Sequence, residues 1–259
     1  MACDVASVDA IQSVGCWILD NTGVNLTILH DEFDRNRFIS GIGMTIYLSV
    51  VSLFFSLIIG VVGAWAQGSD FRVVRWLING FIVLFRNTPP LVQIFFFYFG
   101  ISNLLPYIED ADGMRAPLLT NVQWAIFSLS LFAGAFNIEI FRSGIEAVPN
   151  STKEAAAALG YTRLGTYIHI VLPLAIRVCL PALNNNLVNL LKTTSLAYAI
   201  AVPELLYASK NIWTDAQNVP TMMVVLLLTY VALVGVLVWA MNAWERSMAV
   251  PGYGQGGGR

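Results

Sequence analysis

Charged residues are scarce in this chain. Of its 259 residues only 12% are charged, whereas 57% are hydrophobic, and the mean hydropathy is +0.68. Soluble domains carry about a quarter charged residues, so an ordinary soluble domain is excluded. The net charge of −2 also excludes a basic surface for nucleic acid. The composition predicts a multi-pass membrane protein of about five or six spans in a single domain.

Residues typical of metal sites and catalytic centres are also few. Cys3, Cys16 and Cys179 are far apart and form no CxxC pair, so we expect unpaired thiols. The two histidines, His30 and His169, belong to no HExxH motif, and GxxxxGK[ST] is absent. We therefore expect no metal site, no catalytic residues and no P-loop, and any step driven by ATP would need another subunit.

Long uncharged runs locate the membrane domain at residues 39–246. About 20 apolar residues cross the hydrocarbon, which predicts spans at about 40–66, 75–101, 119–141, 170–200 and 219–243. The second span should be bent, because Pro89 and Pro90 remove backbone donors from it.

The two ends of the chain differ from the apolar runs. Residues 1–38 are mildly acidic and predict a periplasmic or interfacial arm with a short helix near Ile11–Leu19. Residues 247–259 are rich in glycine and predict a flexible tail.

The distribution of basic residues favours an N-terminus outside and a C-terminus in the cytoplasm. In that orientation seven basic residues are cytoplasmic: Arg72, Arg75, Arg142, Lys153, Arg163, Arg246 and Arg259. Four are outside: Arg35, Arg37, Arg115 and Lys210.

A polar stretch, NSTKEAAAALGYTRLGTYIHIVLP, occupies residues 150–173 between two spans. Ser151 and Glu154 form a capping-box pattern, which predicts the start of a helix. The alanines that follow favour helix, and Gly160 predicts its end in a left-handed turn. On local physics alone this could be an ordinary cytoplasmic helix–turn–helix.

The spacing of this stretch resembles the EAA loop of permease subunits of bacterial ABC importers. The resemblance holds at every defined position of that motif: Glu154, Ala155, Ala156, Gly160, Ile170, Leu172 and Pro173. It implies that a cytoplasmic loop at 143–168 contains a coupling helix, and that these residues couple the permease to an ATPase subunit.

Two further stretches resemble the polar amino acid subfamily of these permeases. RNTPPLVQ at 86–93 looks like a signature of that subfamily, and we expect Arg86 and Asn87 to line the translocation path. Alternatively, Arg86 snorkels or is paired within the helix bundle. Glu139 and Arg142 lie one helical turn apart, which predicts a structural ion pair.

The run LKTTSLAYAIAVPEL at 191–205 is the second such stretch, although Thr193 replaces the usual Asp or Asn and Ala201 replaces a Gly. A lysine beside three hydroxyls suggests a broken helix lining a path. The residues predicted to line it are Lys192, Thr193, Thr194, Ser195 and Glu204. Alternatively, Lys192 is buried and bonded to helix carbonyls.

The asparagines that precede this run have helical spacings of three and four. They could bond across helices or to a twin subunit. They are Asn184, Asn185, Asn186 and Asn189.

The resemblance implies the all-α, five-span core of type I ABC importer permeases and the import of polar L-amino acids by alternating access across the bacterial inner membrane. Implied partners are two ABC ATPase subunits, which hold ATP and Mg, a second permease subunit, the same or homologous, and a periplasmic amino acid binding protein. A stand-alone secondary transporter or channel is the alternative, but no internal inverted repeat supports it.

Overall fold

The computed structural model describes residues 10–109 and 115–248, and most of them are helical. The α-helices are α1 (Ala10–Thr22), α2 (Thr27–His30), α3 (Glu32–Gln67), α4 (Arg72–Asn87), α5 (Pro90–Phe95), α6 (Asn121–Glu146), α7 (Asn150–Ala158), α8 (Arg163–Thr166), α9 (Leu172–Thr193), α10 (Leu205–Ala216) and α11 (Val219–Met248). Two π-helical segments, Phe96–Ile101 and Tyr167–Val171, and two 3₁₀ segments, Ser102–Leu104 and Thr194–Ile200, continue helices. The strands β1 (Tyr107–Glu109) and β2 (Arg115–Pro117) form an antiparallel hairpin.

Four helical segments of the described ranges are long and apolar enough to cross a membrane. They are Glu32–Gln67, Asn121–Glu146, Arg163–Ile200 and Val219–Ser247. A fifth would be the bent pair Arg72–Asn87 and Pro90–Leu104.

The predicted helix in the N-terminal arm is confirmed by α1. Cys16 is disulfide-bonded, so the expectation of an unpaired thiol is wrong there, whereas Cys179 is free and buried. Cys3 and the predicted tail beyond Met248 lie outside the described residues.

The bend in the second apolar run is sharper than the kink of a single helix, because the chain direction changes by 110° between the two halves. Thr88 has φ −110° and ψ 141°, since a following proline disfavours the helical region. Pro90 then occupies the first position of α5, where its missing N–H costs nothing. The side-chain amide of Gln93 donates to the carbonyl oxygens of Phe85 (2.9 Å) and Thr88 (3.0 Å). Gln93 thus satisfies carbonyl groups that the break leaves without helical partners.

One compact unit comprises the described residues of 1–50, 94–125 and 191–234. Its apolar core joins Phe38 of α3 to Leu205 and Ile212 of α10 and to Met222 and Leu226 of α11. The predicted spans leave residues 201–218 as a connection, and α10 forms within it because its apolar residues recur on one side and are buried. Gly41 permits this packing, since a Cβ there would lie 2.8 Å from the Cβ of Ala208.

The second unit comprises the described residues of 51–93, 126–190 and 235–259. Its helices pack at glycines: a Cβ at Gly60 would lie 2.6 Å from that of Asn137, and small residues allow such close approach between membrane helices. The side-chain amide of Asn137 donates to the Ser56 hydroxyl (3.0 Å), and that of Asn186 donates to Asn137 Oδ1 (2.8 Å). Asn186 therefore bonds across helices, as one of the two sequence interpretations proposed, and joins α9 to α6 and α3.

Candidate functional site

Helix α7 contains the alanine-rich part of the polar stretch. It begins at Asn150 after Pro149, which has φ −57° and ψ 143° and provides no side-chain cap. The predicted capping box of Ser151 and Glu154 is wrong, because Ser151 already lies inside the first turn.

The end of α7 follows the sequence prediction. Gly160 has φ +84°, so the left-handed turn is confirmed. The N–H of Tyr161 donates to the carbonyl of Ala156 (3.1 Å), and the N–H of Gly160 donates to that of Ala157 (3.0 Å). This pair of bonds is the Schellman arrangement, which satisfies carbonyl groups at a helix end.

One side of α7 is exposed along its whole length. We call it the α7 surface, and its residues are Ser151, Glu154, Ala155, Ala158 and Leu159. Leu159 is 79% exposed, whereas Ala156 of the same motif is 2% exposed and faces the protein. A short helix with small side chains and a protruding leucine is suited to a partner that approaches closely.

The remaining motif residues join this loop to α9. Val171 is buried and packs with Val148 and Ala175, so the π-helical segment is held against the spans. Ile170 and Leu172 are partly buried and Pro173 is exposed. The π-helical segment also contacts α7, and Val171 packs it against Ala175 of α9.

Arg86 pairs with Glu139, which we had predicted to pair with Arg142. Its guanidinium forms an ion pair with Glu139 and lies 5.1 Å from the ring centroid of Phe136. Arg142 instead pairs with Glu146 at 3.0 Å, one turn further along α6. The predicted Glu139–Arg142 pair is therefore not formed, because an arginine from α4 reaches Glu139 and the i,i+4 spacing suits Arg142.

The Arg86–Glu139 pair lines a cavity of about 270 Å³ between α6 and α9, together with Ser143, Gly144 and Cys179. Both charged side chains are about one third exposed. Asn87 does not take part, since its amide donates to the carbonyl of Val83 (2.8 Å). Asn87 does not line this cavity.

Helix α9 has polar residues along one exposed side. We call this the α9 stripe, and it consists of Arg177, Asn185, Asn189 and Lys192. Charged and amide side chains in a span face protein or water rather than lipid.

The residues after the stripe are not all exposed as predicted. Thr193 and Ser195 are partly buried, and the Ser195 hydroxyl donates to the carbonyl of Lys192. Thr194 and Glu204 are 0% exposed. A side chain without exposed surface cannot line an open path, so the prediction for these two residues does not fit the structure.

Glu204 has a structural position that the sequence did not reveal. Its carboxylate caps α10 by accepting from the N–H groups of Leu206 (2.9 Å) and Tyr207 (2.8 Å). It also accepts from the hydroxyl of Tyr230 in α11 (3.1 Å). The N–H of Leu205 donates to the hydroxyl of Thr45 in α3 (3.1 Å), so three helices meet at this carboxylate.

Comparison with known proteins identifies the family. Residues 56–250 match the family described as the inner membrane component of binding-protein-dependent transport systems. The chain belongs to this family. Members are transport components without catalytic activity of their own, and they work with ATPase subunits and a substrate-binding protein.

Curated members of the family are similar over most of the chain. A probable amino-acid ABC transporter permease of Bacillus subtilis (strain 168), YckA, is 36% identical, covering 82% of this chain and 88% of that protein. The histidine/lysine/arginine/ornithine transport system permease HisM of Salmonella typhimurium is 32% identical, covering 69% of this chain and 75% of that protein.

Solved structures show the same architecture. The crystal structure of an amino acid ABC transporter with histidines matches with a TM-score of 0.71 and 25% identity, covering 82% of this chain and 94% of that one. An inward-facing MetNI methionine ABC transporter matches with a TM-score of 0.68 and 18% identity, covering 85% of this chain and 100% of that one. The all-α fold of type I ABC importer permeases is thus confirmed, and a stand-alone transporter is not supported.

Proposed function

We propose that this chain is the permease subunit of an ATP-driven importer that moves polar L-amino acids across the bacterial inner membrane. Family membership supports a binding-protein-dependent transport system. Similar proteins include permeases for glutamine, for histidine, lysine, arginine and ornithine, and for L-cystine, which favours polar amino acids.

The α7 surface carries the proposal, because it is the part of the motif that an ATPase subunit could contact. Glu154, Ala155 and Leu159 are exposed, and Gly160 closes the helix beneath them. Closure of two ATPase subunits around ATP and Mg would move α7, which contacts the π-helical segment Tyr167–Val171. Val171 of that segment packs with Ala175, so the movement would reach α9.

The α9 stripe supports a second permease subunit, identical or homologous. Asn185 lies near the middle of a membrane-crossing segment and is exposed. Polar side chains in this position are satisfied by another protein chain or by a water-filled path. In a pair of permease subunits around one path, the partner chain and the water in the path would both contact these side chains. We place Lys192, Thr193 and Ser195 on the path at one end of the α9 stripe, and Arg86 in its own cavity.

The orientation follows from the basic residues near the span ends. We place the N-terminus outside, where a periplasmic binding protein would deliver the amino acid, and α7 in the cytoplasm beside the ATPase. In this arrangement alternating access results from two states of the permease pair, whose equilibrium the ATPase and the binding protein change.

Charge reversal on the α7 surface tests this function. The full complex with Glu154→Lys should lose at least tenfold in ATP-driven uptake of radiolabelled glutamine and histidine in proteoliposomes, because a charge mismatch at an interface costs at least about 1.4 kcal/mol. Insertion of the permease should be unchanged, since Glu154 is exposed.

Asp20→Lys provides the matched control, because Asp20 is also exposed but lies on α1, outside the family match. This variant should retain wild-type uptake. Full ATP-driven uptake by Glu154→Lys would contradict the coupling role of α7.

A further inference from the structure

A second cavity lies behind α7, on the side away from the α7 surface. Its volume is about 320 Å³, and it is bounded by α7, α8 and the π-helical segment that leads into α9. The polar residues that line it are Lys153, Tyr161, Arg163, Thr166 and Tyr167. The volume lies within the range of sites for small molecules, about 300–1,000 Å³.

The two cations of this cavity lack negatively charged partners. Neither Lys153 nor Arg163 forms an ion pair with any of the described residues, and no Asp or Glu lines the cavity. The Lys153 ammonium has only a long contact, 3.4 Å, to Oδ1 of Asn150. Glu154, although adjacent in sequence, belongs to the exposed α7 surface. The cavity is therefore electropositive.

Tyr167 adds a neutral donor to this basic cavity. Its hydroxyl is buried and has no hydrogen-bond partner among the described residues. A buried polar group without a partner is costly, which suggests that a ligand satisfies it. One ammonium, one guanidinium and one hydroxyl can together bind the oxygens of a phosphate group.

The position of the cavity indicates where that phosphate comes from. Arg163 begins the apolar segment Arg163–Ile200, so the cavity lies at one end of a candidate span. Leu164 (58%) and Ile168 (47%), one turn apart in the same segment, are exposed and offer contact for acyl chains. Basic cavities at helix ends with flanking tyrosines are typical of lipid headgroup sites.

We propose that this cavity binds the phosphate headgroup of an anionic phospholipid, held by Lys153, Arg163 and Tyr167. The lipid would connect α7 to the beginning of α9 on the side that the ATPase does not contact. Binding of the lipid is independent of whether α7 couples to an ATPase, so failure of the transport test would leave this proposal standing.

Lipid binding to the purified full-length chain tests the proposal. Native mass spectrometry in detergent should show preferential retention of phosphatidylglycerol over phosphatidylcholine. Each basic side chain near a membrane surface contributes about fivefold to binding of an anionic lipid, so Lys153→Gln or Arg163→Gln should weaken it about fivefold and the double variant about thirtyfold. Tyr167→Phe should weaken it less, while leaving the charge unchanged.

Arg246→Gln is the matched control, because Arg246 is exposed at the end of α11 and does not line the cavity. It should retain phosphatidylglycerol as the wild type does. An equal loss in this control, or retention by the double variant within twofold of wild type, would overturn the proposal. Displacement of the lipid by inorganic phosphate at millimolar concentration would assign the site to a soluble anion and also overturn it.

Discussion

Replacing Gly160 with alanine, a change of one methyl group, tests whether the turn at the end of α7 is needed for coupling to the ATPase. The φ of Gly160, +84°, lies in the left-handed region, and the two bonds that close α7 depend on that conformation. A Cβ at this position would meet nothing within 4 Å. Gly160→Ala therefore perturbs the backbone preference without creating a collision within the chain.

The magnitude follows from the backbone alone. An L-residue with a Cβ requires about 1–2 kcal/mol to adopt the left-handed conformation, whereas glycine adopts it freely. The ratio of molecules with the closed turn to those in other loop conformations should then fall about 5- to 30-fold. Asparagine enters this region more readily than alanine, so Gly160→Asn should fall between the wild type and Gly160→Ala.

ATP-driven uptake by the reconstituted complex is the measurement, with ATP hydrolysis recorded in the same vesicles. We expect uptake per ATP hydrolysed to decrease in the order glycine, asparagine, alanine. Wild-type coupling in Gly160→Ala would refute the argument that the turn positions α7. Equal loss in both variants would refute the backbone explanation, because it would show that any side chain at 160 blocks the partner.

Two other predictions concern stability, measured by thermal unfolding of the purified chain in one detergent. Glu204→Ala should destabilise the protein by about 3 kcal/mol, because it removes a helix cap and the acceptor of the Tyr230 O–H group. Glu204→Gln keeps the shape and one acceptor, so it should cost about 1 kcal/mol. Equal melting temperatures for the two variants would contradict the role of the carboxylate oxygens. Gln93→Met has a similar size but no donor, so it should destabilise by about 1–2 kcal/mol through the carbonyl groups of Phe85 and Thr88, and an unchanged melting temperature would show that these bonds do not stabilise the bend.

The features that the sequence predicted correctly are determined by neighbouring residues. The left-handed turn at Gly160 depends on one residue type that lacks a Cβ. The bend near Pro89 depends on that proline, which disfavours the helical conformation of Thr88 before it. Both are local, so a single sequence contains all the information needed to predict them.

The predictions that failed depended on residues distant in sequence. Glu139 was paired with Arg142 because both are on one helix, but Arg86, 53 positions earlier, reaches it in the folded chain. Glu204 was placed on a polar path because it belongs to the run 191–205 that resembles the subfamily, yet its hydrogen bond to Tyr230 lies inside the packed helices. Neither partner can be read from spacing, since the contacts depend on how the helices pack.

Adjacent asparagines of α9 show how far helix phase decides the role of a polar residue. The amide of Asn186 is buried and bonds to Asn137, whereas Asn185 is exposed on the α9 stripe. The first satisfies its polar atoms within the chain, and the second has to satisfy them outside it, because an amide transferred from water to hydrocarbon without a hydrogen bond costs several kcal/mol. Helix α9 is thus polar on two sides, one that holds its own subunit together and one that requires a neighbour or a water-filled path. A helix of this kind is stable at the centre of an assembly and unstable at its lipid-facing edge, which is the physical reason to expect that the chain acts as one of a pair.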